Sequence, residues 1–178
     1  MSPISNRRTD GFGGSIENRF KFPLEIARAA RALVPKHIPL GARITGSDWR
    51  EDGLKADDAV TIAKALKSAG LDFLCVSSGG VAAGIHNPTN DGYNVPLAER
   101  VKREAGISTR AVGLIFTPKQ AEDIVGKGQA DQVAMARAFL DDPHWAWHAA
   151  KVLGGDVARP SQYLRVGPKM WAPAAASA

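Results

Sequence analysis

The chain has one cysteine, Cys75, among its 178 residues. An internal disulfide is thereby excluded, and the composition fits a reducing compartment, with the cytoplasm as the expected location. Long apolar runs are also missing. No stretch approaches the roughly 20 residues that a helix needs to cross a bilayer, and the first residues hold no apolar block of the signal-peptide kind, so no membrane association is expected. Aromatic residues make up only 7% of the chain, and no basic run is interleaved with them, which argues against a nucleic-acid partner. No Ser-His-Asp arrangement with a nucleophile elbow is present.

What is present is an ordinary globular composition, 44% hydrophobic and 23% charged, with a formal net charge of +5. The Lys and Arg residues alternate with acids as on solvated helix faces, leaving a modest bias towards anionic ligands such as phosphate.

Periodicity divides the chain into strand–helix units. Residues 2–15 read as loop. Ser15 can cap a helix whose apolar positions are Ile16, Phe20, Leu24 and Ala27, with Pro23 expected to kink or restart it. A short β-like stretch, residues 38–44, leads into the polar loop 45–53. A helix over 57–69 carries Ala59, Ile62, Ala63, Leu66 and Ala69 on one stripe and stops at Gly70. Residues 71–76 read as a buried strand, followed by a loop of about fifteen residues, long enough to suggest a functional excursion. Then come a helix near 96–105, a strand 109–114, a helix 118–125 and a strand 132–135. Asp142 and Pro143 suit the start of a last helix, and the Gly-, Pro- and Ala-rich residues 154–178 read as an extended tail. Apolar strands alternating with helices imply an α/β fold with a parallel sheet covered on both sides. Four strands suit a small open sheet or half of an eightfold barrel, which typically needs about 250 residues when complete.

In such folds ligands sit at the carboxyl ends of the strands. Arg43 ends the first strand, and on residues alone an ion pair with Asp48 is the favoured reading. Gly113 ends the third strand, where a glycine permits close backbone approach to a bound group. Ala136 and Arg137 follow the fourth, and a guanidinium meets two phosphate oxygens at once. Ser77-Ser78-Gly79-Gly80 lacks the G-x-G-x-x-G spacing and reads as a strand exit. Cys75 reads as a small buried hydrophobe. His144 and His148 have metal-ligand spacing but no third ligand, so no metal is assigned; His37 and His86 are isolated.

The opening run gives a sharper clue. Residues 2–19 read S-P-x-S-N-x-R-T-D-x-x-G-G-S-x-E-N-R. This resembles the segment after the fourth strand of Old Yellow Enzyme barrels, which are FMN-dependent NAD(P)H dehydrogenases and ene-reductases. The resemblance extends to about Arg165. It implies that residues 1–165 are the C-terminal half of an FMN-binding TIM barrel, a partial (β/α)8 fold covering strands five to eight, with 166–178 as the tail. By the same resemblance, Arg43 contacts the N1–C2 edge of the flavin, Gly113 lies beside the FMN phosphate, and Ala136 and Arg137 hold that phosphate. Ala136 stands where glycine is commoner. Gln162-Tyr163-Leu164-Arg165 is similar to a Q-Y-x-R-x-W ending whose arginine, here Arg165, can reach a neighbouring active site across a dimer. Trp171 falls later than that pattern expects.

The resemblance also implies what must come from elsewhere. The histidine pair that holds the substrate oxygen, the glutamine on the flavin pyrimidine edge and the proton-donating tyrosine belong to the first half of the barrel. No catalytic residue is therefore assigned to this chain. The expected cofactor is FMN with NAD(P)H as reductant, and the expected substrate is a small molecule with an activated C=C bond. The expected protein partner is an N-terminal half barrel or another copy of the chain. The different-class alternatives are a non-catalytic flavin- or phosphate-binding module that self-associates, and an α/β domain unrelated to flavin.

Overall fold

The computed structural model describes residues 1–167, 170 and 171. Its elements in order are α1 (Ile16–Leu33), β1 (Gly41–Thr45), α2 (Ala56–Ser68), β2 (Phe73–Ser77), α3 (Val95–Ala105), β3 (Ser108–Val112), α4 (Pro118–Gly126), β4 (Gln132–Ala134), α5 (Arg137–Asp141), α6 (Trp145–Val152) and a 3-10 helix (Ser161–Val166). The four strands are parallel and lie in the order β1-β2-β3-β4. No helix among the described residues is long and apolar enough to cross a membrane.

Local chemistry explains most boundaries. Ser15 caps α1 by accepting from the Asn18 amide, and Thr117 caps α4 by accepting from the Gln120 amide. Pro96 and Pro118 occupy first-turn positions, where a missing N–H costs nothing. Pro23 does not interrupt its helix, as its sequence suggested it should; α1 runs unbroken from Ile16 to Leu33. Phe20 and Ala27, buried on either side of it, anchor both halves of the helix to one core.

The core lies between the helices and one face of the sheet. Ile62, Ala63, Leu74, Val76, Ala98 and Ala111 have no solvent exposure, and Leu66 and Val101 almost none. Each large aliphatic side chain buried here contributes about 1.5–3 kcal/mol relative to exposure.

The expectation of a sheet covered on both sides is not met. Burial alternates strictly in β2 and β3: Leu74, Val76, Thr109 and Ala111 are buried, while Phe73, Cys75, Ser77, Ser108, Arg110 and Val112 are half-buried. Helices therefore cover a single face. One long polar side chain on that face of each of β1, β3 and β4 (Arg43, Arg110, Gln132) is the sequence counterpart of this pattern.

The C-terminal region departs from the sequence reading in two places. The short helix α5 intervenes between β4 and the last long helix, which starts at Trp145 with His144 in the capping position. Asp142 instead follows α5, accepting from the His144 amide at 2.9 Å and meeting His148 Nδ1 at 2.6 Å. Residues 161–166 are helical, not extended, and Tyr163 packs edge-on against Trp147 at 5.0 Å between ring centroids. Most of the tail assigned to 166–178 lies outside the described residues.

Candidate active site at the strand ends

The carboxyl ends of β1, β3 and β4 open into a cleft of about 510 Å³. Its lining includes Arg43, Gly113, Ala136 and Arg137, together with Ser77, Tyr93, Asn94, Leu114, Phe116 and Asp141. All four cofactor-contact residues expected from the sequence thus share one cleft. Arg165 does not join them: it is exposed on the 3-10 helix and is not part of this lining.

Arg43 does not pair with Asp48. Asp48 is buried and occupied locally, its Oδ2 accepting from the Leu54 amide at 2.7 Å. Arg43 instead donates from Nη2 to Ser77 Oγ at 2.7 Å, across the β1–β2 register. One hydroxyl orients the guanidinium, whose other donors meet no acceptor among the described residues. The Arg137 side chain forms no hydrogen bond or ion pair among the described residues.

The floor of the cleft is held by an unusual backbone. Gly113 sits at φ 115°, and a Cβ there would come within 2.7 Å of Asn94 Nδ2 and 3.0 Å of the Tyr93 ring. Only glycine permits both the angle and the approach. Leu114 follows at φ 50°, a region that a side chain of its kind rarely occupies. Its carbonyl accepts from the Gly92 amide at 3.1 Å and from Gln120 Nε2 at 2.9 Å, while Gln120 Oε1 accepts from the Phe116 amide at 3.0 Å. Strain of this sort persists where surrounding bonds over-determine it.

A second support reaches the cleft from the loop after β1. Trp49, also at positive φ (57°), donates from its indole Nε1 to Ser78 Oγ at 2.8 Å. Ser78 in turn donates to Asn94 Oδ1 at 2.6 Å. An indole nitrogen can only donate, so the Ser78 proton must point at Asn94, and the buried amide must turn its Nδ2 towards Gly113. The relay fixes a neutral donor beside the cleft.

Sequence reasoning singled out the long loop that carries Tyr93 and Asn94, but not those residues. Nothing in their spacing distinguishes them from ordinary loop residues. Ser77 and Ser78 form the strand exit that their sequence indicates, and both also make polar contacts that shape the cleft.

Cys75 is half-buried on the exposed side of the sheet, and burial pushes its thiol pKa above the ordinary value. That fits an inert thiol. The two helix histidines do not converge on a shared ligand: His148 meets Asp142, and that hydrogen bond holds the Asp142 carboxyl below its usual range. Among the described residues no group of three or more His, Cys, Asp or Glu could hold a metal ion.

A parallel α/β sheet with a cationic, glycine-floored cleft at its strand ends defines the class of fold that binds phosphate-bearing cofactors there. Solved structures of similar fold agree with this. The chain aligns with a 2-naphthoyl-CoA reductase complex (TM-score 0.75, 29% identity, 87% of this chain and 24% of that one). It also aligns with morphinone reductase in complex with tetrahydroNAD (TM-score 0.61, 23% identity, 93% and 41%), a likeness of fold alone. In sequence it is 46% identical over 165 residues to an NADPH dehydrogenase of Geobacillus sp. (strain WCH70), covering 93% of this chain and 48% of that protein. An NADPH dehydrogenase of Listeria innocua matches over the same span at 38%. The chain thus spans about half the length of the curated relatives it matches. The model of the NADH:flavin oxidoreductase / NADH oxidase family covers residues 1–154, and the chain belongs to that family. The family uses FMN, with NAD(P)H as reductant, and the Old Yellow Enzyme resemblance of residues 2–19 is borne out.

Proposed function

We propose that the chain is the C-terminal half of a flavin barrel, strands five to eight, and carries the phosphate side of an FMN site in an NAD(P)H-dependent ene-reductase. The observation that carries this reading is the convergence of Arg43, Gly113, Ala136 and Arg137 on one cleft, with the Arg137 guanidinium unpaired among the described residues. Residues 1–165 form the binding unit and work in the cytoplasm.

Each residue has a distinct task. Arg137 supplies a forked donor for phosphate oxygens. Gly113 keeps the floor low enough for the backbone to approach the same group, and the Ala136 methyl is small enough to leave it room. Arg43 places a fixed positive charge where electron density can be stabilised. When bound, FMN supplies hydride-transfer chemistry that no side chain of the protein can. A complementary half barrel brings the residues that grip an activated alkene, so the isolated chain binds without turning over. Arg165 serves as a substrate or dimer contact in the assembled protein.

Flavin-fluorescence titration of the purified chain tests the reading. Saturable FMN binding, competed by inorganic phosphate and lost in Arg137→Ala, supports it. Absence of FMN binding, alone and with a complementary half, would overturn it. Turnover by the chain alone would contradict the division of labour, and FMN binding that no partner converts to turnover would mark a non-catalytic module.

A further inference from the structure

The two walls of the cleft come from different strand ends. The loop after β3 supplies Gly113, Leu114 and Phe116, while the end of β4 and α5 supply Ala136, Arg137 and Asp141. The last paired residues of the two strands are Val112 and Ala134. Past them, no hydrogen bond runs directly between residues 114–117 and 136–141 among the described residues. The Gln120 bonds tie the loop to its own helix, α4, and do not reach the opposite wall. A third element spans the gap. Trp145, the first residue of α6, donates from its indole Nε1 to the Phe116 carbonyl at 2.7 Å. Its ring also meets Phe139, two residues after Arg137, edge-on with centroids 5.9 Å apart. Trp145 itself packs against the hydrophobic core, and it is not part of the cleft lining.

We infer that Trp145 is a positioning residue for the phosphate grip: it sets the spacing between the Gly113 loop and the Arg137 helix without touching the ligand. The inference rests on the proposed FMN site and deepens it. A guanidinium fork and a close backbone approach act together on one phosphate only when their separation is held to about 0.5 Å. Indole suits the task on both sides. Its nitrogen can only donate, so it cannot exchange roles with the carbonyl, and its edge-on ring contact fixes α5 by shape. The Trp145–Phe116 bond lies at the surface, and Phe116 is exposed, so water can take over the carbonyl when the donor is removed. Loss of the bond should therefore cost the fold little while freeing one wall of the cleft from the other.

Trp145→Phe keeps a ring and deletes the donor. FMN and riboflavin, which differ by the phosphate, are titrated by flavin fluorescence into the parent, Trp145→Phe and Phe139→Leu. Trp147→Phe serves as control, because the Trp147 ring packs on Tyr163 and lies outside the cleft lining. Trp145→Phe is expected to bind FMN about three- to tenfold more weakly, with riboflavin affinity and the urea midpoint unchanged. Phe139→Leu should move the FMN-to-riboflavin affinity ratio in the same direction, and it carries the test if Trp145→Phe does not fold. Amide hydrogen exchange without ligand gives a second readout: residues 114–116 should exchange faster in Trp145→Phe and at the parent's rate in Trp147→Phe. Equal weakening of FMN and riboflavin would show that Trp145 only supports the fold. Unchanged FMN affinity would show that the loop keeps its place without it. Either result overturns the inference. A parent that binds no FMN, alone or with a complementary half, sinks the proposed function instead; the clamp between the walls is then decided by exchange at residues 114–116, supported by acceleration and overturned by its absence.

Discussion

On the helix-covered face of the sheet, Leu74, Val76, Thr109 and Ala111 have no solvent exposure; on the opposite face, Arg43, Cys75, Arg110 and Gln132 keep part or most of theirs. Strands β2 and β3 supply residues to both sets, one position apart. Burial on the first face is non-directional and scales with apolar area. On the second, each group depends on a particular partner at a particular distance. Substitutions on the first face should therefore cost folding, and those on the cleft end of the second should cost ligand binding while sparing the fold.

The largest expected effect is on the covered face. Leu74→Ala removes a side chain with no exposure at the centre of the sheet and should destabilise the chain by about 2–5 kcal/mol. Urea denaturation followed by circular dichroism measures it; a cost under about 1 kcal/mol would mean that this face is not the core. At the cleft, Arg137→Ala should leave the urea midpoint unchanged and weaken FMN binding by about 1.5–3 kcal/mol, one to two decades, through loss of a charge-assisted bond. A shifted midpoint with unchanged affinity would reverse the comparison.

Smaller effects sharpen it. Trp49→Phe keeps the ring but deletes the donor that orients Ser78 and Asn94. It should weaken FMN binding by about 1 kcal/mol, and by nothing further in a Ser78→Ala background, because the two act through one relay. Full additivity would show two independent roles. Thr109→Val tests the covered face from the other side. The Thr109 hydroxyl is buried there without a hydrogen-bond partner among the described residues, so a methyl of the same shape should be neutral or stabilise by up to about 1 kcal/mol. A clear loss of stability in the same urea assay would reveal a polar contact on the apolar face.

The smallest effect concerns pH. The His148 hydrogen bond lowers the Asp142 carboxyl pKa in the folded state. Its contribution is complete above the ordinary carboxylate pKa and disappears as pH falls through the lower folded value. Asp142→Asn should flatten the acid limb of the thermal midpoint and leave neutral pH nearly untouched. An unchanged acid limb would show that the pair, exposed on the His148 side, is fully screened.

Much of this organisation could be read along the chain. Strand–helix alternation and the cap at Ser15 are local effects, and local spacing reported them. Pro23 misled because its cost to the helix is local while the packing of Phe20 and Ala27 that outweighs it is not. The Arg43–Asp48 pairing misled for a similar reason: Asp48 is claimed by the Leu54 amide once its loop folds.

The sequence by itself determined the parallel α/β architecture, the family signature in residues 2–19, and the positions of Arg43, Gly113, Ala136 and Arg137 at strand ends. Those are properties of period and position, which a one-dimensional pattern contains. The tertiary structure alone decided that Trp49, Ser78 and Asn94 form one relay, that Leu114 is held at positive φ by Gln120, and that the Arg43 and Arg110 guanidiniums meet the neutral Ser77 and Gln132 on one face of the sheet. Each of these joins residues from different loops or strands. Their chemistry depends on ångström-scale distances between side chains, set only when the strands are in register and the loops are closed over them.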